Sequence, residues 1–279
     1  MKASPHFRSK LKGNWLDNEQ LAVWARQRGK ENLAGYEHNI QDSIGPNHAY
    51  RPGFAYESGI LPLLPLRVKG VIWYQGESNS QEAERVAEYG SLMHLLVDSY
   101  RSAWQNPDLS FYWVQLSSID TAHYQSKYWP VFRDEQRKQI DSISRGGMAV
   151  SSDVGLKDNV HPTDKKVVGE RLARWALKQD YGDGLVPSGP LAISARYKRD
   201  KVIIHFRYGK GLRTADGQAV RGFSIDGMNS ESAVVHGDKI IIPATQKPTT
   251  IYYGWLSYTN ANLINEEGLP ASTFKIELP

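Results

Sequence analysis

Three short apolar runs, each followed by a stretch of helical periodicity, constrain the first two thirds of the chain more than any other feature. The runs are "GVIWYQ" (70–75), "SFYWVQL" (110–116) and "GGMAVSSD" (146–153). Each has the length and the β-branched and aromatic content of a buried strand. Strands joined through helices are joined by crossovers, which yield a parallel sheet with helices on its faces. After the first run, "SQEAERVAEYGSLMHLLVDSYRSAW" sets Val86, Tyr89, Leu92, Leu96 and Tyr100 along one side of a helix. After the second, "WPVFRDEQRKQIDSISRG" groups Phe132, Gln136, Ile140 and Ile143 and closes on Gly146, placed to cap the helix. After the third, "TDKKVVGERLARWALKQD" turns Val168, Leu172 and Trp175 inward.

The pattern changes at "YGDGLVPSGP", where glycine and proline interrupt the helical period. Beyond it the chain reads as short strands, among them "KVIIHFR", "KIIIPA" and "TTIYYGW". The expected organisation is an α/β domain over 1–186 and a small all-β domain over 187–279. Upstream, a helix is expected around "NEQLAVWARQRG", with Leu21, Trp24 and Ala25 inward; the rest of the first 60 residues reads mainly as loop.

Charge and cysteine content remove several function classes. Lys and Arg number 34 against 30 acidic residues, without a basic stripe to follow phosphates, so nucleic acid is not an expected partner. The absence of cysteine excludes a disulfide, a thiolate metal site and a cysteine nucleophile, and leaves the compartment open. No run of about 18 uncharged apolar residues occurs, and "MKASPHFRSKLKGNWLDNEQ" has no signal-peptide core, so no membrane association is expected. Eight Trp and fifteen Tyr suit a protein that stacks sugars, although most aromatic side chains serve as core.

In an open parallel sheet, ligands gather beyond the carboxyl ends of the strands. That rim collects Gln75 to Asn79, Gln115 to Ser118 and Asp153 to His161. In "LKDNVHPTDK", Asp158 precedes His161 by three residues, close enough to fold back onto Nδ1 and leave Nε2 as a base. The same spacing also produces surface hydrogen bonds. In "WYQGESN", the plain reading is a turn at Gly76 with Glu77 and Asn79 capping the next helix; the functional one aims Gln75 and the N–H groups around Gly76 at a developing oxyanion. Ser78 lacks the Gly-x-Ser-x-Gly elbow of a nucleophile. Asp158, His161 and Asp164 are a thin basis for a metal, and neither metal nor cofactor is expected.

Several segments resemble the sialate O-acetylesterase family of SGNH (GDSL-type) hydrolases: "VKGVIWYQGESN", "FYWVQL", "WPVFRDEQ", "DNVHPTDKKVVGERLARWAL", "GLVPSGPL" and "YYGWLSYTNANLINEEGLPASTF". The resemblance runs in order from about Trp15 to Phe274. It implies a partial flavodoxin-like sheet with flanking helices carrying a Ser-His-Asp esterase that removes acetyl groups from sugar hydroxyls, sialic acid being the named substrate. Carried over by position, His161 matches the base, Asp158 its orienting acid, and Gln75 with Gly76 the oxyanion block, with Glu77 beside them for substrate. Some relatives carry an acid two residues before the histidine, where this chain has Asn159, so Asp153 stays open as the orienting acid.

The family's nucleophile lies in a Gly-Gln-Ser-Asn-Met or Gly-Asp-Ser segment on the first strand, and this sequence has no such segment. The resemblance therefore implies a carboxyl-terminal portion of such an esterase, weak or inactive on its own, from a secreted or periplasmic protein. Its partner would be an O-acetylated sugar or sialoglycan. A non-catalytic glycan-binding or structural remnant is the competing expectation. With neighbouring strands missing, the edge at 70–75 should self-associate, recruit a strand from the first 60 residues, or leave the chain marginally stable.

Overall fold

The computed structural model describes residues 9–36, 38, 40, 42–122 and 124–279. By internal contacts the chain divides into two units, one of residues 1–68 and 91–107, the other of residues 69–90 and 108–279.

The second unit holds the sheet. Strands β1 (Gly70–Trp73), β2 (Ser110–Gln115) and β3 (Gly146–Val150) form a parallel sheet in that order, with Gly70 opposite Ser110 and Phe111 opposite Gly146. Every residue of β2 and β3 is buried, while β1, at the edge, is only half-buried and leaves Ile72 70% exposed. Helix α5 (Lys165–Asp180) covers one face. Its Val168, Leu172 and Trp175 meet Tyr112, Val114 and Ala149, as the spacing predicts. The Trp175 indole lies where a side chain at Gly147 would project, a Cβ there falling 2.4 Å from Cδ2, and its N–H donates to Met148 O at 2.9 Å. Helix α4 (Trp129–Lys138) lies against β2, where the Trp113 indole N–H donates to Gln136 O.

Two sequence expectations change here. Helix α4 ends at Lys138 and passes into a 3-10 turn, Gln139–Asp141, so Ile143 is buried outside the helix. Gly146 does not cap it but opens β3, because a Cβ there would sit 2.7 Å from Ile143 O and 2.9 Å from the Trp113 ring; Arg145 takes the left-handed position. In helix α3 (Ala83–Ala103), the fully buried positions after Val86 and Tyr89 are Met93, Val97 and Tyr100 rather than Leu92 and Leu96. Over 21 residues a strict i, i+3, i+4 count drifts by one position.

Beyond Leu191 all strands pair antiparallel. β4 (Leu191–Tyr197), β5 (Lys201–Arg207), β8 (Val234–His236) and β9 (Lys239–Pro243) form one sheet, in the order β4-β5-β9-β8. β7 (Phe223–Ser224), β10 (Thr250–Tyr253) and β12 (Phe274–Glu277) form a second, and β6 (Arg213–Thr214) pairs with β11 (Leu263–Ile264). Ile204, Ile240, Ile251, Tyr253 and Phe274 lie at the centre of their shared core.

The first unit contains α1 (Val23–Asn32) and the short α2 (Phe54–Gly59). Helix α1 has Gly29 as its buried residue, while Trp24 is 59% exposed, contrary to the inward position expected of it. The helix packs through the glycine because the Trp15 ring occupies that space, 2.1 Å from where a Cβ would be. Trp15 donates its indole N–H to Pro46 O and stacks on His48. Among the described residues, no segment of the first 60 pairs with β1, whose sheet neighbour is β2. Of the three expectations for that edge, a strand recruited from the first 60 residues is not seen among the described residues.

Candidate functional site

After β1 the chain passes through Tyr74 and Gln75 into a tight turn at Gly76 (φ 145°), where a Cβ would lie 2.3 Å from Phe132 Cε1. Glycine is required by conformation and by space at once. The Gly76 N–H donates to Glu77 Oε2 at 2.9 Å, and Gln75 Nε2 donates to Asn79 Oδ1 at 2.7 Å. Both groups expected to face an oxyanion are thus engaged with their own turn. A substrate oxygen would use the second N–H of Gln75 or displace the Glu77 carboxylate from Gly76.

The turn is held from beneath by Gln136, which is fully buried. Its Nε2 donates to Val114 O at 2.9 Å and to Gln75 O at 3.4 Å, and its Oε1 accepts the Leu116 N–H at 2.9 Å. One side-chain amide therefore joins the carboxyl ends of β1 and β2. The Tyr89 hydroxyl also bonds Gln136; burial pushes its pKa up to about 12, helped by the Glu77 charge and opposed by that hydrogen bond. Tyr124, on the loop after β2, bonds Ser78 and is likewise raised, first by burial and also by Glu77. Gln136 was legible only as the polar member of an apolar helix face. Tyr124 carried no sequence signal.

The loop after β3 supplies the other half of the rim. Asp120 N–H donates to Lys157 O at 2.8 Å, tying this loop to the one after β2. Asp158 and His161 are both exposed, and the His161 N–H donates to Asn159 Oδ1 at 2.8 Å. Among the described residues, no hydrogen bond or ion pair joins the Asp158 and His161 side chains. Asp153 is committed elsewhere, since both its oxygens accept from Arg171 at 2.7 Å. Asp164 caps α5 by accepting from Val167 N–H. Among the described residues, no group of three or more His, Cys, Asp or Glu could hold a metal ion. One further contact connects the two halves: Lys165 Nζ stands 4.3 Å from the centroid of the Tyr74 ring. Tyr74 adjoins Gln75, and Lys165 opens the helix into which the His161 loop leads.

The family profile "Carbohydrate esterase, sialic acid-specific acetylesterase" matches residues 55–178, a span that runs from before β1 almost to the end of α5. Residues 55–178 belong to that carbohydrate esterase family. The mouse sialate O-acetylesterase is 28% identical over 180 residues, 58% of this chain and 33% of that protein. The human one is 28% identical over 166 residues, 53% of this chain and 31% of that protein. The crystal structure of a carbohydrate acetylesterase from Xanthomonas citri superimposes with a TM-score of 0.73 at 33% identity, covering 80% of this chain and 53% of that one. The chain thus spans about a third of the curated relatives and about half of the solved structure. With these likenesses, the partial α/β sheet with helices on its faces, followed by antiparallel β structure, is the fold of a carbohydrate esterase.

Proposed function

We propose that the chain carries the base and the oxyanion side of an esterase that removes acetyl groups from sugar hydroxyls by a Ser-His-Asp mechanism. His161 is the base, Asp158 its orienting acid, and Gln75 with the Gly76 N–H receives the carbonyl oxygen, with Glu77 swinging from the N–H toward the substrate. What supports this reading is the Lys165–Tyr74 contact, which sets the strand end bearing Gln75 beside the start of the helix that follows His161. Asp158 has its carboxylate uncommitted among the described residues, whereas Asp153 is held by Arg171. The substrate is an O-acetylated sugar or sialoglycan, reached in a secreted or periplasmic setting; among the described residues no helix is long and apolar enough to cross a membrane.

The 279 residues contain no Gly-Gln-Ser-Asn-Met or Gly-Asp-Ser segment, so an acyl-enzyme has no serine on which to form. Hydrolysis of an acetyl ester by the purified chain is expected to stay within the roughly 10³–10⁴-fold over water that survives loss of a triad member. A fluorophosphonate probe should label no serine, and His161→Ala should leave the residual rate nearly unchanged, because that rate arises from the oxyanion side and binding alone. Stoichiometric serine labelling with full esterase turnover would defeat the proposed incompetence, and loss of the residual rate in His161→Ala would show the histidine acting without a serine, against the Ser-His-Asp reading.

A further inference from the structure

The loop that follows β10 carries Trp255, Leu256 and Tyr258 beside the rim, and the proposed acetyl chemistry uses none of them. Trp255 is half-buried, Leu256 is 51% exposed and Tyr258 46%. Tyr252, on the opposite face of β10 from the buried Tyr253, packs against Trp255 with ring centroids 4.9 Å apart. Gly227 packs along the indole edge, where a Cβ would come within 3.1 Å of Cδ1 and 3.5 Å of Nε1, so the position favours glycine. Five of the eight tryptophans send their indole N–H to a backbone carbonyl. Trp255 does not bond its N–H to any described residue, and a half-buried indole then offers both a face and a free donor.

The loop is fixed rather than merely exposed. The fully buried Arg133 donates from Nη2 to Gly254 O at 3.0 Å and to Leu256 O. Burial lowers its pKa to about 9, which leaves it charged at neutral pH. On the other side the Ile119 N–H donates to Ser257 O at 3.0 Å, and the next residue, Asp120, donates to Lys157 O. Ser257, Ile119, Asp120 and Lys157 thereby form a hydrogen-bonded succession from the aromatic loop to the residue preceding Asp158. The aromatic loop therefore adjoins the loops of the proposed site.

We propose that Trp255, backed by Tyr252, is a stacking platform for a pyranose ring of the acetylated glycan, with Nε1–H donating to a ring hydroxyl. The inference rests on the esterase reading for the placement of the acetyl group, but sugar binding is measured without turnover. In the ¹⁵N-labelled chain, the indole resonance lost in Trp255→Phe identifies Nε1. Titration with methyl α-N-acetylneuraminoside and with methyl β-xylopyranoside should move that resonance for at least one of them. Trp255→Ala should weaken this binding at least about fivefold, and Trp255→Phe, which keeps the face but loses the donor, by less. A resonance unmoved by either glycoside overturns the platform even if acetylated sugar is hydrolysed. So does undiminished binding in Trp255→Phe and Trp255→Ala. Shift and weakening without hydrolysis uphold it and count against the esterase reading alone.

Discussion

Gly76 has no room for a methyl group, because its backbone is strained for any L-residue and the Phe132 ring fills the space a Cβ would take. Gly76→Ala should therefore cost about 2–5 kcal/mol, from a forbidden dihedral together with overpacking. A urea melt reads this directly; an unchanged midpoint would mean that the turn has another conformation. The residues of this turn were legible as a group, since an apolar run ending in Gln-Gly-Glu-Ser-Asn marks a strand end and a bend. Their commitments were not. That Glu77 reaches back to the Gly76 N–H, and that Gln136 ties two strand ends from beneath, depends on partners up to 61 positions apart in sequence. Asp158 and His161 stood out by spacing, yet spacing alone does not distinguish Asp158 from Asn159, whose side chain accepts the His161 N–H.

Elements followed from the sequence where a period was sustained. Helix α5 keeps three inward positions over 16 residues and has the buried face expected of it. Helix α4 was misjudged at its end because Gly146 reads as a cap, while its actual constraint is crowding against Trp113, a residue of another strand. The short strands around β6, β7 and β11 were the least legible, and side chains rather than long ladders join them. The Asp216 carboxylate accepts from Asn262 Nδ2 at 2.9 Å and from Arg221. Arg221 first, then Asn262, pull its pKa from 3.8 down to about 2. A carboxylate with a lowered folded pKa stabilises above its unfolded value and loses that contribution as pH falls toward the folded one. Asp216→Asn should therefore be less stable than the parent at pH 6, and the two should converge between about pH 4 and pH 2. Thermal melts across that window test it; a constant gap down to pH 2 would contradict the linkage.

At the scale of the whole molecule the outer edge of β1 is a candidate for strand pairing. Its outer backbone groups have no strand partner among the described residues, and Ile72 is exposed beside them. We propose that a second copy pairs there, since an unprotected apolar edge is a template for another strand. Sedimentation should then depend on concentration, and Ile72→Lys should shift the protein to monomer with a stability change of no more than about 0.5 kcal/mol. A monomer at every concentration would refute the pairing. The central strand of the sheet has a different consequence. Gln115, at the end of β2, accepts the Thr273 N–H at 3.2 Å and donates to Thr273 O at 3.3 Å, across 158 positions. Until Thr273 has been made, that amide lacks its two bonds to Thr273 and the carboxyl end of β2 stays unfinished. The end of β2 is therefore completed only after the antiparallel strands before Thr273 have been made, and a growing polypeptide stalled before Thr273 would remain open to chaperones.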